Sequence, residues 1–182
     1  MRAVAVRGAT ALAVLMLVAA AARSRAESPV TAGGWIDFAA NWTASGRQHT
    51  LATGRRAASI FELSGPFVVT RGDGLSRGFF ADAIGFVERD SLGIGRLVLT
   101  DEQGDQIFND LAGQDIGTGQ HIEGTITGGT GRYADVEGSF RFAWQYVIRT
   151  DDGMTQGRAV GLTGRYRRRP AASPQPTPEA GR

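Results

Sequence analysis

The sequence predicts an all-β protein of eight strands, a sandwich or a closed antiparallel barrel, and three observations carry that expectation. Segments rich in aromatic and β-branched residues recur at regular spacing. Glycine-rich turn chemistry separates them. No stretch between them shows the apolar period of an amphipathic helix.

The strands are expected at residues 35–43, 58–70, 78–88, 95–100, 106–111, 120–127, 133–149 and 158–167. Arg71-Gly-Asp-Gly, Asp101-Glu-Gln-Gly-Asp and Asp151-Asp-Gly supply turns after the second, fourth and seventh. The third strand has two apolar faces: Phe80, Ile84 and Phe86 alternate with Phe79, Ala81, Ala83 and Val87, and Asp82 lies among the first set. A barrel strand that is apolar on its outside meets something there, such as a second subunit, so a homo-oligomer is one expectation. The sixth segment leads into a glycine-dense hairpin, Gly128-Gly-Thr-Gly131. The seventh strand is the best patterned. Val136, Phe140, Phe142, Trp144, Tyr146 and Ile148 share one face, while Glu137, Ser139, Arg141, Gln145 and Arg149 dominate the other. Alternation of this length means one dry face and one wet face.

The barrel domain is expected to span 31–168. Residues 1–26 read as a secretory signal peptide: Arg2 and Arg7 at the start, an apolar run at 11–22, and Ser24-Arg25-Ala26 as a cleavage site. Twelve apolar residues cover about 18 Å of a ~30 Å hydrocarbon layer, too little for a stable membrane span. Residues 169–182 are rich in proline and small residues, and read as a disordered tail. Export to a bacterial periplasm or beyond is the expected localisation. Without cysteine, the exported domain must be held by its core rather than by disulfides.

Charge excludes one class of partner. Without the leader, 20 basic and 18 acidic residues become 16 and 18. Every basic side chain is arginine, and residues 31–166 carry 12 arginines against 16 acids. Nucleic-acid binding needs a basic face, so no nucleic-acid partner is expected.

Leu92-Gly-Ile-Gly-Arg-Leu-Val-Leu-Thr-Asp-Glu-Gln-Gly-Asp-Gln-Ile-Phe108, Gly124-Thr-Ile-Thr-Gly-Gly-Thr-Gly-Arg-Tyr-Ala-Asp-Val-Glu-Gly-Ser-Phe140 and Leu162-Thr-Gly-Arg-Tyr166 together resemble the allene oxide cyclase and dirigent-like barrels, in particular their small exported bacterial members. The likeness covers most of 93–166, and the first two strands depart from the family pattern. It implies an eight-stranded barrel, often dimeric or trimeric, with an apolar cavity. Family members cyclise unsaturated fatty-acid epoxides, guide the radical coupling of phenols, or cyclise polyketides. The motif residues themselves have structural work. Gly128, Gly129 and Gly131 suit positive φ in a hairpin, Tyr133 packs back over it, and Gly138 lets the long strand bend.

Other motifs weaken on inspection. Gly129-Thr-Gly-Arg-Tyr-Ala134 has dinucleotide-fingerprint spacing, but a strand follows where a helix N-terminus is needed. Gly74-Leu-Ser-Arg-Gly78 has the spelling of a nucleophile elbow, yet a turn precedes it and a strand follows. Two histidines, His49 and His121, and no cysteine offer no metal cluster, and no cofactor is expected. Arg165-Tyr-Arg-Arg-Arg169 is either a solubilising end to the last strand or a dock for anionic lipid or polymer.

Two functional readings remain. In the first, the barrel binds a small apolar or aromatic ligand against Phe140, Phe142, Trp144 and Tyr146, or acts as a scaffold with no catalytic role. In the second, it is a cyclase or isomerase whose cavity restrains an unsaturated substrate while Asp82 or Glu62 serves as acid or base. The cavity decides between an open ligand barrel and a plugged scaffold.

Overall fold

The computed structural model describes residues 34–54, 56–88, 92–116 and 119–170. The leader expected at 1–26 lies outside the described residues, as does all of the expected tail beyond Pro170. Eight strands follow one another: β1 (Ile36–Thr53), β2 (Arg56–Arg71), β3 (Gly78–Glu88), β4 (Gly93–Asp101), β5 (Gln106–Ile116), β6 (Gly119–Gly129), β7 (Val136–Arg149) and β8 (Met154–Arg168). Each pairs antiparallel with its neighbour, and β8 pairs back onto β1 through Ile36↔Tyr166 and Ala44↔Gly157. The sheet is a closed barrel with no free edge.

The strands run longer than their sequence signal. β1 continues ten residues beyond 43, through the polar stretch Gly46-Arg-Gln-His-Thr50, because β2 pairs with it as far as Thr53 and β8 as far as Arg47. β5 likewise continues past Leu111 to Ile116. Gly131–Tyr133, expected in part as strand, is a single 3₁₀ turn. Gly131 sits at φ +50, and Gly128 also has positive φ. Gly129 does not; it is small because a Cβ there would run into the Gln106 carbonyl and Tyr133.

Alternate residues fill the interior. Phe38, Trp42, Phe67, Phe79, Leu97, Ile107, Phe140, Phe142, Trp144 and Tyr166 are all nearly inaccessible to solvent. Glycines at inward positions receive the rings of neighbouring strands: a Cβ on Gly85 would overlap Phe61, and one on Gly124 would overlap Phe140. This alternation of very large and very small residues lets a narrow barrel reach interior packing density.

One end is closed by the β2–β3, β4–β5 and β6–β7 connections. The Asp101 side chain is fully buried and receives hydrogen bonds from Arg132 Nε at 2.9 Å and Nη2 at 2.5 Å, and from the backbone N–H groups of Gln103 and Asp105. The Tyr133 hydroxyl accepts the Ser76 backbone N–H at 3.2 Å. The Tyr166 hydroxyl donates to the Asp73 carbonyl. Ser76 Oγ donates to Glu102 at 2.8 Å. Both spurious motif residues therefore have structural duties here, Ser76 in the cap and Arg132 in the ion pair.

Burial pushes the Asp101 carboxyl up, but the bonds from Arg132 and from the Gln103 and Asp105 N–H groups outweigh it and hold it below the usual 3.8. Its stabilising contribution is present above 3.8 and is lost as pH falls below that value. We expect Asp101→Asn to cost about 3 kcal/mol at neutral pH, because Arg132 loses its buried partner. Urea denaturation should show this gap narrowing in acid. Burial raises the hydroxyls of Tyr133 and Tyr166 from 10.0 to about 12. Their contribution is complete below 10.0 and is lost as pH climbs towards 12. An alkaline absorbance titration should show these two tyrosines ionising together with loss of the folded near-UV CD signal.

Candidate functional site

The four aromatic residues expected to line a ligand cavity divide into two groups. Phe140, Phe142 and Trp144 point into the barrel and are buried. Trp144 lies 5.0 Å from Trp42 between ring centroids, and Phe142 lies 5.8 Å from Trp42 in an edge-on contact. Tyr146 follows them towards the uncapped end and is 36% exposed, where β7 shifts register between Tyr146 and Ile148. The space among Trp42, Phe61, Leu111, Ile122, Trp144 and Tyr146 is about 30 Å³. That volume suits one or two waters and no organic ligand. The indole N–H groups of Trp42 and Trp144 are buried without a hydrogen-bond partner among the described residues.

The two carboxylates are elsewhere. Glu62 and Asp82 are exposed on the outer face, so neither lines the interior. Glu62 stands between Arg47 of β1 and Ile84 of β3, and Asp82 between Ser64 of β2 and Val98 of β4. Outward direction follows from even numbering on strands whose odd residues, such as Leu63 and Ala83, fill the core. Among the described residues no group of three His, Asp or Glu is placed to hold a metal.

The larger concavity is outside. A groove of about 820 Å³ crosses the outer face from β1 to β5. Its apolar wall is Ile60, Ile84, Phe86 and Ile94, exposed by 59%, 59%, 43% and 61%. Cross-strand register places them together, with Ile60 opposite Phe86 and Phe86 opposite Ile94. Arg47, His49 and Glu62 border one side, and the Arg96–Asp110 ion pair borders the other. Further along the same strands, Val68, Phe80 and Phe108 are also exposed.

No family model matches the chain, and no curated protein or solved structure does either.

The two-faced apolar pattern of β3 was the signal that pointed to this outer surface. Ile60, Ile94, Arg47 and Arg96 were missed, because only strand register brings them beside it. The expected basic cluster is also dispersed. Arg167 and Arg169 pair with Glu137 at 2.7 and 3.6 Å, whereas Arg165 lies over the Trp35 ring. No helix among the described residues is long and apolar enough to cross a membrane.

A substitution can probe whether the interior is filled. A Cβ at Gly157 would lie 2.5 Å from Trp144 Cζ2 and 2.7 Å from the Gln145 carbonyl. Gly157→Ala should therefore destabilise by about 1–3 kcal/mol, the cost of overpacking, in thermal or urea unfolding. An open ligand barrel would absorb the methyl by letting Trp144 swing inward.

Proposed function

We propose that this protein is a non-catalytic barrel scaffold, exported into a bacterial envelope, that associates with a second copy of itself through the outer groove on β1–β5. One observation carries the reading: the pocket among the inner rings beside Trp42 and Trp144 measures about 30 Å³, whereas an apolar groove of about 820 Å³ lies outside. A single-domain protein gains nothing by leaving Ile60, Ile84, Phe86 and Ile94 in water, and their burial at a contact is worth about 25 cal/mol per Å². A second copy fits because the same face carries both signs of charge. In a twofold contact each patch meets itself, so Arg47 and Arg96 of one copy can approach Glu62 and Asp82 of the other.

The cyclase reading requires a dry pocket beside a carboxylate. With Glu62 and Asp82 facing solvent, the acid–base groups chosen for that role have no enclosed substrate to serve. Export is supported by the leader-like composition of residues 1–26. The allene oxide cyclase likeness is compatible with a barrel kept for its shape.

Size-exclusion chromatography with light scattering on the mature chain tests the association. The wild type should run as a dimer or larger closed oligomer, and Ile84→Glu or Phe86→Glu should reduce it to monomer. Both side chains are exposed in the single barrel, so its unfolding midpoint should shift little. A wild type that stays monomeric at every concentration would sink the proposal.

A further inference from the structure

The opposite side of the barrel holds a second groove, of about 490 Å³, across the outer faces of β6, β7, β8 and β1 and the end of β2. Its chemistry differs from the first. Arg71, Arg141 and Arg165 border it, with the carboxylates of Asp37 and Glu123 among them. Register places Asp37 opposite Arg165 and Glu123 opposite Arg141, the arrangement in which exposed strands usually pair opposite charges. Yet the four ion-paired arginines among the described residues are Arg96, Arg132, Arg167 and Arg169. None of the three guanidiniums and two carboxylates that line this groove forms an ion pair among the described residues. The hydroxyls of Thr125, Ser139 and Thr163 complete its walls.

Arg165 is also held in place. Its guanidinium lies 4.8 Å from the centre of the Trp35 ring, which Arg167 approaches at 4.7 Å. A guanidinium over an aromatic face keeps all its N–H donors available while losing rotamer freedom in advance. Arg167 is satisfied by Glu137, so Arg165 is the member of this pair left for a ligand.

We propose that this groove binds an acidic oligosaccharide. A uronate carboxylate suits the planar donor forks of Arg141 and Arg165, which bind carboxylates through two parallel hydrogen bonds. Ring hydroxyls need acceptors as well as donors, and Asp37, Glu123, Ser139 and Thr163 provide both. A bare phosphate or sulfate would gain nothing from the two carboxylates. A lipid surface is a poor fit because the polar groups sit inside a concave wall rather than on a protruding one. The site uses no residue of the apolar groove, so it stands or falls separately from self-association.

Isothermal titration calorimetry of the mature chain with a short oligogalacturonate provides the test. Parallel titrations would use its methyl ester, sodium sulfate, sodium phosphate and vesicles containing phosphatidylglycerol. The expected result is binding of the acidic oligosaccharide, loss of binding on esterification, and a weakening of about tenfold or more in Arg141→Gln and in Arg165→Gln. Arg158→Gln, on the outer face of β8 away from the groove, should leave affinity unchanged. Phe86→Glu should also bind normally. Circular dichroism would confirm that each variant is folded. The proposal is overturned by no binding, by equal binding of the ester, or by affinity insensitive to Arg141 and Arg165. It is also overturned if sulfate, phosphate or vesicles bind as well as the sugar does.

Discussion

The buried Asp101–Arg132 ion pair is the constraint on which the rest of the barrel depends. Asp101 ends β4, and Arg132 sits in the 3₁₀ turn between β6 and β7, so their contact ties the β4–β5 hairpin to the β6–β7 hairpin beside it. The Arg132 backbone N–H also donates to Asp105 at 3.2 Å, which locks the turn onto the β4–β5 loop. Tyr133 follows Arg132 directly and is carried into the core, where its ring packs 5.7 Å from Phe79 and its hydroxyl meets the β2–β3 loop. A buried charge pair is costly to desolvate, and what it supplies here is register: four backbone and side-chain donors converge on one carboxylate.

The interior obeys a second rule, a ring set against a missing side chain. Phe61 over Gly85, Phe140 over Gly124 and Trp144 over Gly157 let large aromatics lie flat where ordinary residues would collide. A barrel that spends its inner volume on its own rings keeps little space inside, and its larger concavities lie on the outer face.

Outside, the wall is chemically divided. The β2–β5 side exposes branched aliphatics and phenylalanines, whereas the side formed by β6, β7, β8 and β1 presents arginines, hydroxyls and carboxylates. Closure of the sheet makes this possible. With no edge to protect, every outward position is free to specialise. One wall suits a partner that removes apolar area from water, and the other suits a ligand that replaces water with directed hydrogen bonds.

The linear order of residues was enough to determine an all-β architecture of eight strands. Period-two alternation in β7, the Gly-Gly-Thr-Gly hairpin and the regular turns together pointed to antiparallel strands in a sandwich or a barrel, because each is a local preference of backbone and side chain. The outward apolar face of β3 was legible for the same reason. Strand ends were not, since residues 44–53 have no local strand signal and are held by β2 as far as Thr53 and by β8 as far as Arg47. The facing of Glu62 and Asp82 was also undecided by alternation. A period of two separates the faces of a strand without saying which lies inside, and β3 is apolar on both. Tertiary closure decided that, by placing Ala81 and Ala83 against the ring-filled interior and their neighbours in solvent. The two grooves and the Asp101–Arg132 pair belong to the same class. Their members are far apart in sequence, and only the register of a closed sheet brings them together.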